Sequence, residues 1–228
     1  IHAARRQLNI VYIVENNGTY GLTKGQFSAT NDLGSNSKYG EENLFPAIDL
    51  SAMAIQSGAS FVARSFSGDK NQLIPLLKAA IKHKGFSLLD IISPCVAFNN
   101  HNTSTKSYDH IREHNESVAS LDFVPLGKEI KAHYEEGEQI DISLHDGSIL
   151  SLEKLSKNYD PTNKTSAISS INSAEKDGKV LTGLLYIDSN TKDLKETLNI
   201  TDTPLNKLSK KDLCPGKIEL KNINQSLS

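Results

Sequence analysis

The 228 residues carry 25 Lys+Arg against 27 Asp+Glu, a formal net charge of −2, which excludes a nucleic-acid-binding surface and a polybasic membrane face. Hydrophobic residues at 37% suffice for a packed core, and no apolar run approaches the ~18–20 residues that a membrane span needs. Cys95 and Cys214 lie too far apart for a disulfide framework, so the expectation is a soluble, cytoplasmic, mixed α/β chain.

In chain order, residues 1–9 (IHAARRQLN) read as the body of a helix without an N-cap residue or a first-turn acid. Ile10-Val11-Tyr12-Ile13-Val14 follows as a continuous apolar run, the pattern of a strand buried within a parallel sheet. Such a strand needs neighbours on both sides, and the helix before it needs a strand before that; the chain therefore reads as the C-terminal part of a longer α/β protein. A short helix is expected over 44–58, a strand over 60–64, and a helix over 71–83 that Gly85 stops. The buried run Phe86-Ser87-Leu88-Leu89-Asp90-Ile91-Ile92 is the next strand, closed by Ser93-Pro94-Cys95. This alternation predicts an α/β fold, a parallel sheet with helices on both faces over 1–100. Residues 101–228 read as a C-terminal extension. It holds a polar helix over 107–121, a hairpin of 140–145 and 148–152 turning at Asp146-Gly147, a helix from Tyr159 to about Asp177, a strand over 180–187 and a Lys- and Asn-rich tail from Ser189 that wraps a surface.

Chemistry is expected just beyond the first strand, where ligands of open α/β sheets bind. There the run Asn16-Asn17-Gly18-Thr19-Tyr20-Gly21-Leu22-Thr23-Lys24-Gly25-Gln26 combines three glycines with hydroxyl and amide side chains. Glycines let backbone wrap a phosphate, and Asn and carbonyl oxygens two residues apart suit Mg²⁺, a hard ion that demands oxygen ligands. Neither G-x-x-x-x-G-K-[ST] nor G-x-G-x-x-G is present, which excludes a Walker loop and a dinucleotide fingerprint. The alternative for this stretch is a glycine-rich surface turn after a core strand. Cys214, with no partner at metal spacing, reads as a structural thiol.

The segment from Asn16 to Thr30, NNGTYGLTKGQFSAT, resembles the thiamine-diphosphate motif of the 2-oxoacid:ferredoxin oxidoreductase β subunit, whose usual form is close to DN-x-x-YGLT-x-GQ-x-SPT. The likeness continues through FVAR at 61–64, HKGFSLLDI at 83–91, SPCVAFN at 93–99, REHNE at 112–116, HDGS at 145–148, YDPTN at 159–163, TGLLYID at 182–188 and TDTPLN at 201–206. The later blocks are most similar to the 2-oxoglutarate:ferredoxin oxidoreductase β subunit. The resemblance implies the C-terminal part of a thiamine-diphosphate-binding fold and the CoA-dependent oxidative decarboxylation of a 2-oxoacid, most closely 2-oxoglutarate, with reduction of ferredoxin. It implies Asn17 as a Mg²⁺ ligand through its side-chain oxygen and Thr19 through its backbone carbonyl. Tyr20, Gly21, Leu22 and Thr23 would line the cofactor, and Lys24 would meet the distal carboxylate of the substrate. Cys95 would ligate a [4Fe–4S] cluster, and an α subunit would be the partner.

The family's G-D-G-D stretch and C-x-x-C do not occur in these residues, Asn16 stands where Asp is usual and Ala29 where Pro is usual. The chain alone would thus hold part of the metal shell and one of four cluster ligands, and is expected to be inactive by itself. Two other readings compete. His110-Ile111-Arg112-Glu113-His114 fits H-x-x-E-H, in which two His one helical turn apart bind Zn²⁺ and Glu is the base; its flanks Tyr108, Asp109, Asn115 and Glu116 are too polar for a peptidase helix. The other is a truncated, non-catalytic docking module for the partner subunit.

Overall fold

The computed structural model describes residues 1–35, 40–93, 132–143, 149–155, 158–214 and 216–227. The strands are β1 (Ile10–Asn16), β2 (Thr19–Tyr20), β3 (Gln26–Phe27), β4 (Phe61–Phe66), β5 (Phe86–Ile92), β6 (Gln139–Ser143), β7 (Ile149–Lys154) and β8 (Val180–Ile187). Six of them form one sheet in the order β1-β5-β4-β8-β7-β6, and β2 and β3 form a separate small ribbon. β5 is central to the first half. It runs parallel to β1 and β4, with Ile92 opposite both Asn16 and Phe66, so that the three strands end level.

Helices cover both faces of the sheet, as expected from the alternation. On one face α1 (His2–Arg5), α2 (Leu50–Gln56) and α4 (Lys164–Lys176) bury Ala4, Ile55, Ala167 and Ile171 against Val62, Leu88, Leu181 and Leu185. On the other, α3 (Lys70–Lys82) lays Ala80, Leu73, Leu76 and Leu77 on Phe61, Ala63, Leu89 and Leu184. Val62 pairs with Leu88 and Ala63 with Leu89 in the β4–β5 register, so the period-2 alternation of strands sends adjacent pairs to opposite cores. Both strands are thereby covered on both faces.

The parallel pairing expected over 1–100 is present in β1, β5 and β4. The later strands make the whole sheet mixed, because β8 runs antiparallel to β4, with a register shift between Val62 and Ala63, and β6 antiparallel to β7; β7 and β8 are parallel. Ile1–Asp193 form one compact unit, within which β8 hydrogen-bonds directly to β4. Among the described residues β1 pairs with β5 alone, so it is an edge strand with Ile10, Tyr12 and Ile13 exposed, rather than the fully buried strand its composition predicts. The helix expected over 44–58 begins only at Leu50, because Pro46 disfavours helical backbone at Phe45 and the Asp49 side chain accepts from Ala52 N at 2.7 Å as N-cap. The helix expected from Tyr159 begins at Lys164 under an Asn163 cap, while Asp160 closes its own turn on Thr162. The second unit, Leu194–Ser228, contains short helices and, among its described residues, none that is buried. Cys214 there is exposed and free, unlike the structural thiol expected. Among the described residues no helix is long and apolar enough to cross a membrane.

At the opposite end of the sheet from the ends of β1 and β5, Gln7 joins three elements. Its Oε1 accepts from Ser60 Oγ at 2.7 Å and from Phe86 N at 3.1 Å, and its Nε2 donates to the Gly58 carbonyl. Gly85, at φ +110°, packs against this junction, and a Cβ there would lie 2.7 Å from both Gln7 Oε1 and Ser60 Oγ. Gly85→Ala is expected to destabilise the fold by about 1–3 kcal/mol, read as a lowered urea midpoint at unchanged slope; a midpoint equal to wild type would contradict the close packing.

Candidate functional site

The level ends of β1 and β5 set where the glycine-rich segment leaves the sheet. Ser93 N donates to the Asn16 carbonyl at 2.8 Å, so the two chains stay paired one step past the strands. The Asn17 side chain then accepts from Thr19 N at 3.1 Å, an Asx turn that brings Asn17 Oδ1 and residue 19 together. β2 and β3 clamp the base of the following loop, with Thr19 opposite Phe27 and Tyr20 opposite Gln26. Inside it Lys24 N bonds to the Gly21 carbonyl at 3.1 Å and Gly25 N to the Tyr20 carbonyl at 3.0 Å. This tight turn puts Lys24 at φ +76° and Gly25 at φ +98°, a left-handed conformation that is uncommon for a residue such as Lys. Thr23 Oγ1 donates to Gln26 Oε1 at 2.7 Å.

The structure thus brings Asn17, Thr19, Tyr20, Gly21, Leu22, Thr23 and Lys24 onto one small ribbon at the C-terminal edge of the sheet. Leu22 is 92% exposed, and Tyr20 is exposed as well. Thr19 Oγ1 is buried and has no hydrogen-bond partner. Unpaired buried hydroxyls are costly, and this one belongs to the residue whose backbone N bonds to Asn17 Oδ1. Such an all-oxygen set fits Mg²⁺ in type. Cys95 lies outside the described residues, as do the helix expected over 107–121, the turn at Asp146-Gly147 and the His110, Glu113, His114 motif. Among the described residues no group of three or more His, Cys, Asp or Glu side chains could hold a metal ion.

Two supports of the ribbon are not legible as motifs. Asn43, buried at 6% exposure, donates through Nδ2 to the carbonyls of Asn31, Asp32 and Phe45, each at 3.0 Å; its two N–H groups are shared among three acceptors. Asn31 Nδ2 in turn donates to the Gly18 carbonyl at 2.9 Å, and burial pushes the Asp32 carboxyl up. A buried charge cluster is joined to the end of β1 by Asn16 Nδ2, which donates to Asp90 Oδ1 at 3.1 Å. The Arg64 guanidinium donates from Nε to Asp90 Oδ2 and from Nη2 to Asp49 Oδ2, both at 2.8 Å. Burial works against that charge, but Asp49 and Asp90 together hold it above the usual arginine value. Arg64 and Asp90 face each other in the β4–β5 register, and the sequence signal for them is a charge inside each of two apolar strands.

A cavity of about 680 Å³ opens elsewhere in the same unit, lined among others by Asp69, Gln72, Tyr134, Lys154, Tyr159 and Gly183. Lys154 Nζ pairs with Asp69 Oδ2 at 2.8 Å, donates to the Tyr134 carbonyl at 2.7 Å and lies 4.3 Å from the centre of the Tyr134 ring. Tyr134 Oη and Thr182 Oγ1 share a hydrogen bond of 2.8 Å.

With this geometry in hand, comparison with known proteins gives first a class. Residues 1–91 match the family described as thiamine pyrophosphate enzyme, C-terminal TPP binding domain; this stretch contains β1, the ribbon, β4 and nearly all of β5. Among individual relatives, the chain is similar to a 2-oxoacid:ferredoxin oxidoreductase subunit beta of Sulfolobus sp, 44% identical over 45% of this chain and 34% of that one. It is also similar to the 2-oxoglutarate oxidoreductase subunit KorB of Mycobacterium tuberculosis, 36% identical over 50% of this chain and 29% of that one. These matches bear out the resemblance read from the motifs, and the chain spans about a third of the length of these curated relatives. A solved 2-oxoglutarate:ferredoxin oxidoreductase from Magnetococcus marinus, with 2-oxoglutarate, coenzyme A and succinyl-CoA bound, superposes with a TM-score of 0.60. It covers 87% of this chain and 53% of that chain at 24% identity, and so shares the fold.

Burial, opposed by the Thr182 hydrogen bond and assisted by Asp69, pushes the Tyr134 phenol up to about 12. A raised native value means stability that is full below the ordinary tyrosine range near 10 and is lost as pH climbs toward 12. Tyr134→Phe is therefore expected to cost about 1 kcal/mol at neutral pH and to flatten the fall in stability between pH 10 and 12. Urea titrations at several pH values check this, and an unchanged slope against pH would contradict it.

Proposed function

We propose that this chain belongs to the β subunit of a cytoplasmic 2-oxoacid:ferredoxin oxidoreductase, which oxidatively decarboxylates 2-oxoglutarate or a related 2-oxoacid to its acyl-CoA and CO₂ while reducing ferredoxin. The observation that carries the reading is the ribbon itself. A thiamine-pyrophosphate-domain sequence presents Asn17 Oδ1 and an orphaned, buried Thr19 Oγ1 at the edge of a parallel β1–β5 pair. When bound, thiamine diphosphate supplies the electron sink that lets a 2-oxoacid lose CO₂.

The chain's own residues have definite tasks in this reading. Asn17, through its side-chain oxygen, and Thr19, through its carbonyl, would hold Mg²⁺. The Gly21–Thr23 backbone turns closely enough to line the cofactor, with Tyr20 and Leu22 as apolar wall. Lys24 offers its ammonium to the distal carboxylate of 2-oxoglutarate, a point charge on a flexible stem. Cys95 would be one ligand of a [4Fe–4S] cluster, which would supply one-electron chemistry. The α subunit covers the site, a role supported by the exposed Leu22, Leu33, Leu44 and Phe45 on the segments that form the ribbon and its approach.

In the assembled enzyme, Asn17→Ala is expected to raise the Mg²⁺ and thiamine-diphosphate concentrations needed for half-maximal 2-oxoglutarate-dependent reduction of a low-potential acceptor by tenfold or more. Lys24→Met should raise KM for 2-oxoglutarate with little change in kcat. Cys95→Ser should remove or convert the cluster's visible absorption. Unchanged cofactor dependence, unchanged KM or an unaltered spectrum would each sink the corresponding assignment.

A further inference from the structure

Six side chains form an unbroken hydrogen-bonded line from a helix N-terminus to the loop that closes the ribbon. Asp49 Oδ1 caps α2 through Ala52 N at 2.7 Å, and Asp49 Oδ2 accepts from Arg64 Nη2 at 2.8 Å. Arg64 Nε donates to Asp90 Oδ2 at 2.8 Å, while Asp90 Oδ1 accepts from Asn16 Nδ2 at 3.1 Å. Asn16 Oδ1 accepts from Thr30 Oγ1 at 2.7 Å, and Thr30 Oγ1 and Ser28 Oγ share a bond of 2.9 Å. Arg64 and Asp90 are 6% and 1% exposed, so neither can exchange its partner for water.

Each member is the residue type its place requires. Position 16 must donate to a carboxylate and accept from a hydroxyl, which an amide does and a carboxylate does not. The Asp usual at this place in the family would set a second carboxylate against Asp90. Arg64 must reach two carboxylates at once, which the planar guanidinium does and an ammonium does less well. The line passes through Asn16, one residue before Asn17, and runs on into the β3–Asn31 segment, where Ser28 N and Asn31 Nδ2 both donate to the Gly18 carbonyl. It therefore grips both ends of the ribbon.

We propose that Arg64, Asp90, Asn16 and Thr30 are positioning residues that hold the Asn17–Thr19 turn in the geometry that binds Mg²⁺–thiamine diphosphate. This rests on the reading of the ribbon as the cofactor site. The test is calorimetric titration of Mg²⁺ and thiamine diphosphate into the assembled enzyme, with hydrogen exchange of the segment 17–31 measured in the absence of cofactor. Thr30→Val and Arg64→Lys, which change little volume, are expected to raise the dissociation constant at least fivefold and to speed exchange across 17–31. The double variant should be less than additive, because both cut one line. Gly85→Ala, at the far end of the sheet, should lower stability and leave the dissociation constant alone. Dissociation constants within twofold of wild type in both Thr30→Val and Arg64→Lys overturn the relay, as does an equal effect from Gly85→Ala. Failure of the wild-type enzyme to bind the cofactor overturns the reading of the ribbon itself.

Discussion

A guanidinium buried between two carboxylates is the interaction on which the rest of the molecule depends. Arg64 and Asp90 project from adjacent strands in direct register, and Asp49 joins them from the start of α2. Removing one partner from a buried pair of this kind costs about 3–5 kcal/mol, because the remaining charge is stranded. The cluster consequently fixes three things at once: the register of β4 on β5, the point at which α2 begins, and the level of the strand ends from which the ribbon springs.

From that constraint the division of labour in the fold follows. The two apolar faces of β4 and β5 are filled by α1, α2 and α4 on one side and α3 on the other, which supplies the bulk of the burial. The polar line runs through the sheet's C-terminal edge, where parallel strands leave backbone free to meet ligands. The other end of the sheet is closed by Gln7, Ser60 and Gly85 with short, fully paired contacts. One end is thus packed for stability and the other is left with open backbone, an exposed Leu22 and an orphaned hydroxyl on Thr19.

How much of this was legible in the sequence depends on the range of the interactions involved. The strands at 10–16, 61–66 and 86–92 announce themselves through short, largely apolar stretches, and α3 because its apolar residues recur at helical spacing. The pairing of β8 with β4 is not announced. The two are separated by more than a hundred residues of chain, and nothing in an apolar run says that a neighbour will lie antiparallel to it. The same limit explains β1, whose composition is that of a central strand although it stands at an edge in this chain. At the site, the glycines and the Asn17–Thr19 spacing were readable as motif. Asn43 was not, since a lone Asn in a loop carries no pattern. Arg64 and Asp90 were quoted only as parts of longer similar blocks, although a charge within an apolar strand is itself a sign of a buried partner.

The central claim is that the Asn17–Thr19 turn holds the divalent ion of a thiamine-diphosphate site. The most direct measurement is a crystal structure of the assembled enzyme with thiamine diphosphate and Mn²⁺ in place of Mg²⁺, examined for the anomalous signal of the metal. The account expects a peak within coordinating distance of the Asn17 side-chain oxygen and the Thr19 carbonyl, with the diphosphate beside it. A cofactor bound with its metal held by other residues, and the 16–26 ribbon turned away from it, would contradict the account.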